Sequence, residues 1–220
     1  MYIISINFVD PRFYYLCKQD KTQNLSYFRT MKSEFGPDLA NALKVLRAGG
    51  VILYPTDTIW GLGCDATNAK AVGRIFAIKQ RAENKSLIIL VNSVAMLERY
   101  VDNPPEVALQ MADLSEKPLT VVYDRGRSLA EGVASADGSV GVRICAEPFC
   151  DALIEALRKP LVSTSANISG SIAPAIFDEI SEEVKTAVDY VCLWRQDDRS
   201  RGKPSSVIKI SGNGIVKILR

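Results

Sequence analysis

Residues 51–91, VILYPTDTIWGLGCDATNAKAVGRIFAIKQRAENKSLIILV, constrain this chain more than any other stretch. They read as a strand, a polar glycine-containing turn, a helix and a second strand. The outer segments, 51–54 and 87–91, are runs of β-branched and aliphatic residues too hydrophobic to face water. Between them Val72, Ile75 and Phe76 recur at i, i+3 and i+4, the apolar stripe of a helix. Position i+7 of that stripe is Lys79, so the helix is expected to end there with a cation on its buried side. Arg81 follows two residues later. In an extended segment i and i+2 share a side, so both cations can face one cleft. The alternative is that they only offset the negative helix end, the lysine stem snorkelling past apolar neighbours.

A length of 220 residues suffices for one domain with a full core. Apolar residues at 47% and charged ones at 24% place the chain among globular proteins, and a net charge of +2 is too small to argue for nucleic acid by itself. No apolar run approaches the roughly 20 residues of a membrane span. The five cysteines are odd in number, scattered and without a Cys-x-x-Cys pair, which predicts reduced thiols in a cytoplasm and neither a zinc site nor a disulfide framework. The chain has no histidine. That excludes Ser-His-Asp and Cys-His nucleophiles, histidine metal sites and imidazole acid–base chemistry, leaving charge, hydroxyls, amides and carboxylates.

Residues 1–30 are rich in Tyr and Phe, show no sustained period and lack the marks of a signal peptide. They are taken as an N-terminal extension with no assigned role, and residues 31–220 as the domain. Pro37 opens a helix with the stripe Leu39, Leu43 and Leu46, stopped at Gly49 and Gly50. Residues 93–100 read as a short helix, and Pro104-Pro105 begin another that carries Val107, Leu109 and Met111. Residues 118–123 and 139–144 read as strands, the second with Ser139, Gly141 and Arg143 on a polar face. Phe149, Ala152, Leu153, Ala156 and Leu157 mark an amphipathic helix. A strand at 161–165, a helix at 178–188, a short strand at 190–193 and a terminal hairpin around Gly212-Asn-Gly214 complete the pattern. Alternating strands and helices with a closing hairpin predict a single α/β domain built on a mixed sheet.

Three polar segments each adjoin a strand, the usual place for a site in such a sheet. They are Thr56-Asp57-Thr58 with Lys79, Arg81 and Lys85; Ser163-Thr-Ser165-Ala-Asn167; and Arg201-Gly-Lys-Pro-Ser205-Ser206. Arg143 adds a cation. Arginine forks, lysine charges and hydroxyls together suit an oxyanion such as carboxylate, carbonate or phosphate. Neither a Walker loop nor Gly-x-Gly-x-x-Gly is present. Singly, each segment also has an ordinary reading as turn, cap or solvated loop, and Asp57 reads equally as a carboxylate base, a metal ligand or a turn residue.

Tyr54-Pro-Thr-Asp-Thr-Ile-Trp-Gly-Leu-Gly-Cys64, Lys79-Gln-Arg81, Gly141-Val-Arg-Ile144, Ser163-Thr-Ser-Ala-Asn-Ile-Ser-Gly170 and Lys203-Pro-Ser-Ser-Val207, in that order, resemble the YrdC/TsaC family of threonylcarbamoyl-AMP synthases over residues 38–210. The resemblance implies a cytoplasmic nucleotidyltransferase that joins L-threonine, bicarbonate and ATP into threonylcarbamoyl-AMP and pyrophosphate. The product serves modification of tRNA to threonylcarbamoyladenosine, with tRNA and a transfer complex as partners. It implies a twisted mixed α/β sheet with flanking helices and a positive concave cleft, magnesium arriving with ATP, and no protein-built metal site. By the same resemblance Lys79, Arg81, Ser165 and Asn167 are catalytic, and Thr58, Arg143 and Ser163 hold threonine. Arg81, Lys85, Ser139, Ser165 and Ser205 lie along the nucleotide. The chain departs from the family where Lys-x-Arg is followed by Ala82 in place of proline, where Cys145 replaces the proline after Arg-Ile, and where Pro-Ser-Thr-Val becomes Pro-Ser-Ser-Val. Two other readings compete: an RNA-binding or ribosome-associated module using the same cleft, and a paralogue with another substrate. Near-neutral charge and the lack of a stacking-aromatic motif weigh against the first, and the intact Lys-x-Arg and Ser-x-Asn pairs against the second.

Overall fold

The computed structural model describes residues 34–80, 86–211 and 215–220. The extension at 1–30 and the cations Arg81 and Lys85 lie outside these residues. Helix α1 (Gly36–Arg47) leads to β1 (Ile52–Tyr54), β2 (Gly61–Gly63), α2 (Ala69–Lys79) and β3 (Ile88–Val91). Then come α3 (Val94–Tyr100), α4 (Glu106–Leu114), β4 (Leu119–Tyr123), β5 (Val140–Ile144), α5 (Pro148–Leu157) and β6 (Leu161–Ser165). A 3-10 turn (Phe177–Glu179), α6 (Glu182–Ala187), β7 (Tyr190–Val191) and the hairpin β8 (Ser206–Ile210) and β9 (Val216–Ile218) close the chain.

The strands form one mixed sheet in the order β7-β1-β2-β6-β3-β5-β4-β8-β9. Pairs β1–β7, β3–β5 and β4–β8 are parallel and the other five antiparallel. This is the mixed α/β sheet expected from the alternation of elements. Helices α1, α3, α4 and α5 pack on its strands. No helix among the described residues is long and apolar enough to cross a membrane.

Strand β2 corrects the expected polar turn. It is Gly-Leu-Gly, poor strand material by propensity, yet it joins β1 to β6. Its glycines are needed because the Tyr54 ring lies across the strand: a side chain at Gly63 would put its Cβ 2.4 Å from Tyr54 Cε1. Two helices differ from expectation as well. On α4 the sheet takes Ala108, Leu109 and Ala112, leaving Val107 and Met111 exposed, because small residues let the helix approach β4 and β5 closely. The expected helix at 178–188 is divided, since Ser181 caps a new start by accepting the Val184 amide.

The register around β6 creates the site. Strand β6 pairs with β3 only through Leu161, Val162 and Ser163, because β3 begins at Ile88 opposite Ser163. Thr164 and Ser165 run on beyond that start, held on their other edge by Leu62 and Gly61. The last two residues of β6 therefore have no partner on β3.

Candidate active site

A pocket of about 310 Å³ lies against this part of the sheet, lined by Ser163, Thr164 and Ser165 of β6, Ile88 of β3 and Arg143 of β5. Cross-strand partners share a face, so the pairs Gly61–Ser165, Ser163–Ile88 and Ile88–Gly141 carry one face of the sheet from β2 to β5. Arg143, two residues from Gly141, lies on that same face. Two strand spacings, roughly 10 Å, separate the serine strand from the arginine strand, which is room for an amino acid.

From the sequence Arg143 read as a cation on the polar face of a strand, and by resemblance as a threonine ligand. It is 4% exposed, and all five residues of β5 are buried. Its Nη2 stands 3.0 Å from Asp57 Oδ1, near enough for an ion pair but not aligned for a hydrogen bond. Nε and Nη2 of Arg143 and both Asp57 oxygens thus remain buried without a hydrogen-bond partner. Burial is the largest influence and opposes the arginine's charge; the Asp57 carboxylate, aided by Cys145, Tyr54 and Cys150, holds the guanidinium above its ordinary value. Asp57, open to three readings from the sequence, is the counter-ion of Arg143.

Beyond β1 the chain turns through Thr56, Asp57 and Thr58. Thr56 Oγ1 donates to the Ile59 carbonyl at 2.7 Å and lies 2.9 Å from Thr58 Oγ1. With the Thr56 proton committed, Thr58 donates to Thr56, so its free lone pairs accept from the pocket it lines.

Lys79 ends α2, with Gln80 in the left-handed region at φ 49°. Its Nζ donates to the Ser165 carbonyl at 2.6 Å, the Asn167 carbonyl at 2.7 Å and Asn167 Oδ1 at 3.4 Å. Ser165 Oγ donates to Asn167 Oδ1 at 2.5 Å, and Asn167 Nδ2 reaches the Ile168 and Ser171 carbonyls. The structure thus brings Lys79, Ser165 and Asn167 together, with the ammonium behind the 165–167 loop and not on the pocket wall. Replacing Lys79 by Met removes charge-assisted bonds worth about 1.5–3 kcal/mol. We expect the melting temperature to fall by several degrees, as checked by calorimetry. An unchanged melting temperature would contradict the clamp.

Ser205 is 3% exposed, pairs with Thr120 Oγ1 at 2.8 Å and lines the pocket. Ser139 is also buried, but its hydroxyl donates to Asp137 at 2.6 Å and the residue stands off the pocket wall. Three contributors were not assigned from the sequence. Arg220 lines the pocket, its Nε donating to the Ser205 carbonyl at 3.1 Å, because the β8–β9 hairpin folds it back onto Val207. Trp60 lines it too, its indole tilted against Phe177 at 4.9 Å. Gly202 packs on the 56–58 turn so closely that a Cβ would stand 1.7 Å from the Thr58 carbonyl oxygen. No group of three His, Cys, Asp or Glu side chains among the described residues could hold a metal ion.

Comparison with known proteins gives a consistent pattern. The family model Sua5/YciO/YrdC, described as "Telomere recombination", matches residues 44–220. A threonylcarbamoyl-AMP synthase of Psychromonas ingrahamii is 34% identical over 152 residues, 68% of this chain and 80% of that protein. The structure of P. abyssi Sua5 complexed with L-threonine superposes with a TM-score of 0.73 at 28% identity over 83% of this chain. This chain spans about half of that protein, 53%. E. coli YciO gives a TM-score of 0.70 at 27% identity, covering 83% of this chain and 87% of its own.

Proposed function

Since the chain belongs to the Sua5/YciO/YrdC family, we propose that it forms threonylcarbamoyl-AMP and pyrophosphate from L-threonine, bicarbonate and ATP, as a cytoplasmic nucleotidyltransferase serving tRNA threonylcarbamoyladenosine synthesis. The observation that carries this reading is Arg143, which lines the pocket with its charge held by the buried Asp57 carboxylate behind it. A substrate α-carboxylate supplies the planar pair of acceptors that a guanidinium fork matches.

The threonine amine and bicarbonate condense with loss of water to an N-carboxy amino acid. Its carbamate oxygen then attacks the α-phosphorus of ATP, the bond to the bridging oxygen of the β-phosphate breaks, and pyrophosphate leaves. Attacker and target are both anions, so catalysis here is alignment and charge compensation and calls for no histidine base. Arg143 and Ser163 hold the carboxylate end, and Thr58 accepts from the amino group. Lys79 and Asn167 fix the loop that presents Ser165 to the reacting groups. Arg81 and Lys85, assigned to the nucleotide by resemblance, lie outside the described residues; Ser139, assigned likewise, would act from behind the wall. Magnesium would come with ATP, held by phosphates and water, and would neutralise the leaving pyrophosphate. Among the described residues the polar part of the pocket wall is hydroxyls and arginines, which fits an ion carried in this way.

Arg220 makes no ion pair among the described residues, whereas Arg143 is offset by Asp57. Charge compensation for the phosphates from the described wall therefore falls to Arg220. Arg220→Ser should raise the KM for ATP about tenfold, the worth of one exposed charge–phosphate contact of about 1.4 kcal/mol, and leave the KM for threonine within twofold. A rise in the threonine KM alone would move Arg220 to the other subsite. The reading as a whole is tested by threonine- and bicarbonate-dependent release of pyrophosphate from ATP by the purified protein. Release that ignores either substrate would refute it.

A further inference from the structure

We propose that Arg195, which lies outside the main pocket, is the positioning residue that fixes the 56–58 turn for the amino-acid substrate. This rests on the reading of Thr58 as part of the amino-acid subsite.

The backbone of Arg195 is left-handed, with φ 61°, a conformation that an L side chain adopts rarely and at an energetic cost. Folding alone would be served better by glycine at this position. What the arginine contributes is its side chain. Nε and Nη2 grip Asp198 Oδ2 at 3.0 and 2.7 Å, and Nη1 donates to the Thr56 carbonyl at 3.1 Å. Nη1 also stands 3.9 Å from Glu147 Oε1. Glu147 is buried and fixed: it caps α5 through the Cys150 amide at 2.8 Å and accepts from the Trp194 indole at 3.0 Å. Asp198 is anchored in turn by the Ser200 amide at 2.8 Å.

One guanidinium therefore fastens the 56–58 turn to two fixed carboxylates. The consequence passes through Thr56, whose hydroxyl is bonded to the Ile59 carbonyl and to Thr58 Oγ1. Arg195 and Thr56 meet around a second small cavity that both line with Asp198 and Ser200, and that shares Thr58, Ile59 and Trp60 with the main pocket. Arg195 does not line the main pocket, so its influence on a ligand there must run through the turn.

The test compares Arg195→Gly with the wild-type chain. The glycine variant should show a KM for L-threonine at least tenfold higher, a KM for ATP within twofold, and faster hydrogen exchange at the amides of residues 56–60. Equal rises in both KM values, an unchanged threonine KM, or unchanged exchange would each overturn the proposal. If the glycine variant does not fold, Arg195→Lys keeps charge and Cβ but loses the fork. The same split between the two KM values is expected of it, and wild-type behaviour would refute the tie. Should the wild-type chain show no threonine-dependent turnover, the activity reading fails, and the exchange rates alone still decide whether Arg195 holds the turn.

Discussion

Replacing Arg143 by Met should cost about 3–5 kcal/mol of folding stability and abolish binding of L-threonine, because it leaves the Asp57 carboxylate buried alone. The two side chains are 5% and 2% exposed. The pair carries little net stability of its own, since desolvation offsets its attraction; the cost arises from breaking it. The double variant Asp57→Asn, Arg143→Met removes both charges and should recover most of the lost melting temperature. Threonine binding should not return, because the fork is gone. Thermal denaturation and titration calorimetry on the three proteins separate the two effects. A single variant as stable as the wild-type chain would mean that Asp57 and Arg143 do not depend on each other, and recovered binding in the double variant would remove Arg143 from the substrate.

The second large effect is expected at Gly202. The Cβ added by Gly202→Ala would meet the Thr58 carbonyl oxygen at 1.7 Å and its carbon at 2.8 Å. Both are backbone atoms, so no rotamer change relieves the contact; the 199–205 loop or the 56–58 turn must move. Gly202 is partly exposed, and its loop is joined to the 3-10 turn by Arg199–Asp178 and Arg201–Glu179 ion pairs at the surface. The displacement should therefore cost more activity than stability. A shift of about 1 Å in a substrate-positioning element costs on the order of a hundredfold, and we expect kcat/KM for threonine to fall by about that factor. Gly73→Ala provides the control: a Cβ there meets nothing within 4 Å, and alanine in a helix stabilises by about 1 kcal/mol. Equal activity in the Gly202 and Gly73 variants would show that the close approach to Thr58 has no bearing on the site.

The chain's local signals were legible where one residue's chemistry settles the outcome. Lys79 at i+7 of an apolar stripe marked the end of α2, and the structure ends it there with Gln80 left-handed. The runs at 51–54 and 87–91 became β1 and β3 because continuous aliphatic segments are stable only when covered on both sides, and the alternating stretch 139–144 became β5. The motif order also identified the family, which the match over residues 44–220 bears out.

Partnership was not legible. Lys79 was expected to face a cleft, but its ammonium is turned to the carbonyls of Ser165 and Asn167, distant in sequence, whose placement depends on how β6 lies. That Arg143 is buried was not legible either, because alternation along a strand says which residues share a face, not what covers that face. Asp57 is its counter-ion only because the β1 turn folds over β5. Strand β2 was hidden because glycine gives no strand signal, and what makes glycine fit is the Tyr54 ring from the neighbouring strand.

By itself, then, the sequence determined the α/β class, the ends of its best-formed elements, the exclusion of imidazole chemistry in a chain without histidine, and the five motifs that name the family. The tertiary structure alone decided that β3 starts at Ile88 while β6 continues to Ser165. That two-residue offset leaves Thr164 and Ser165, which line the pocket, without a partner on β3, and the terminal hairpin brings Arg220 to the pocket wall. Register is fixed by pairing energies summed over neighbouring strands, and those sums have no counterpart in any one stretch of the chain.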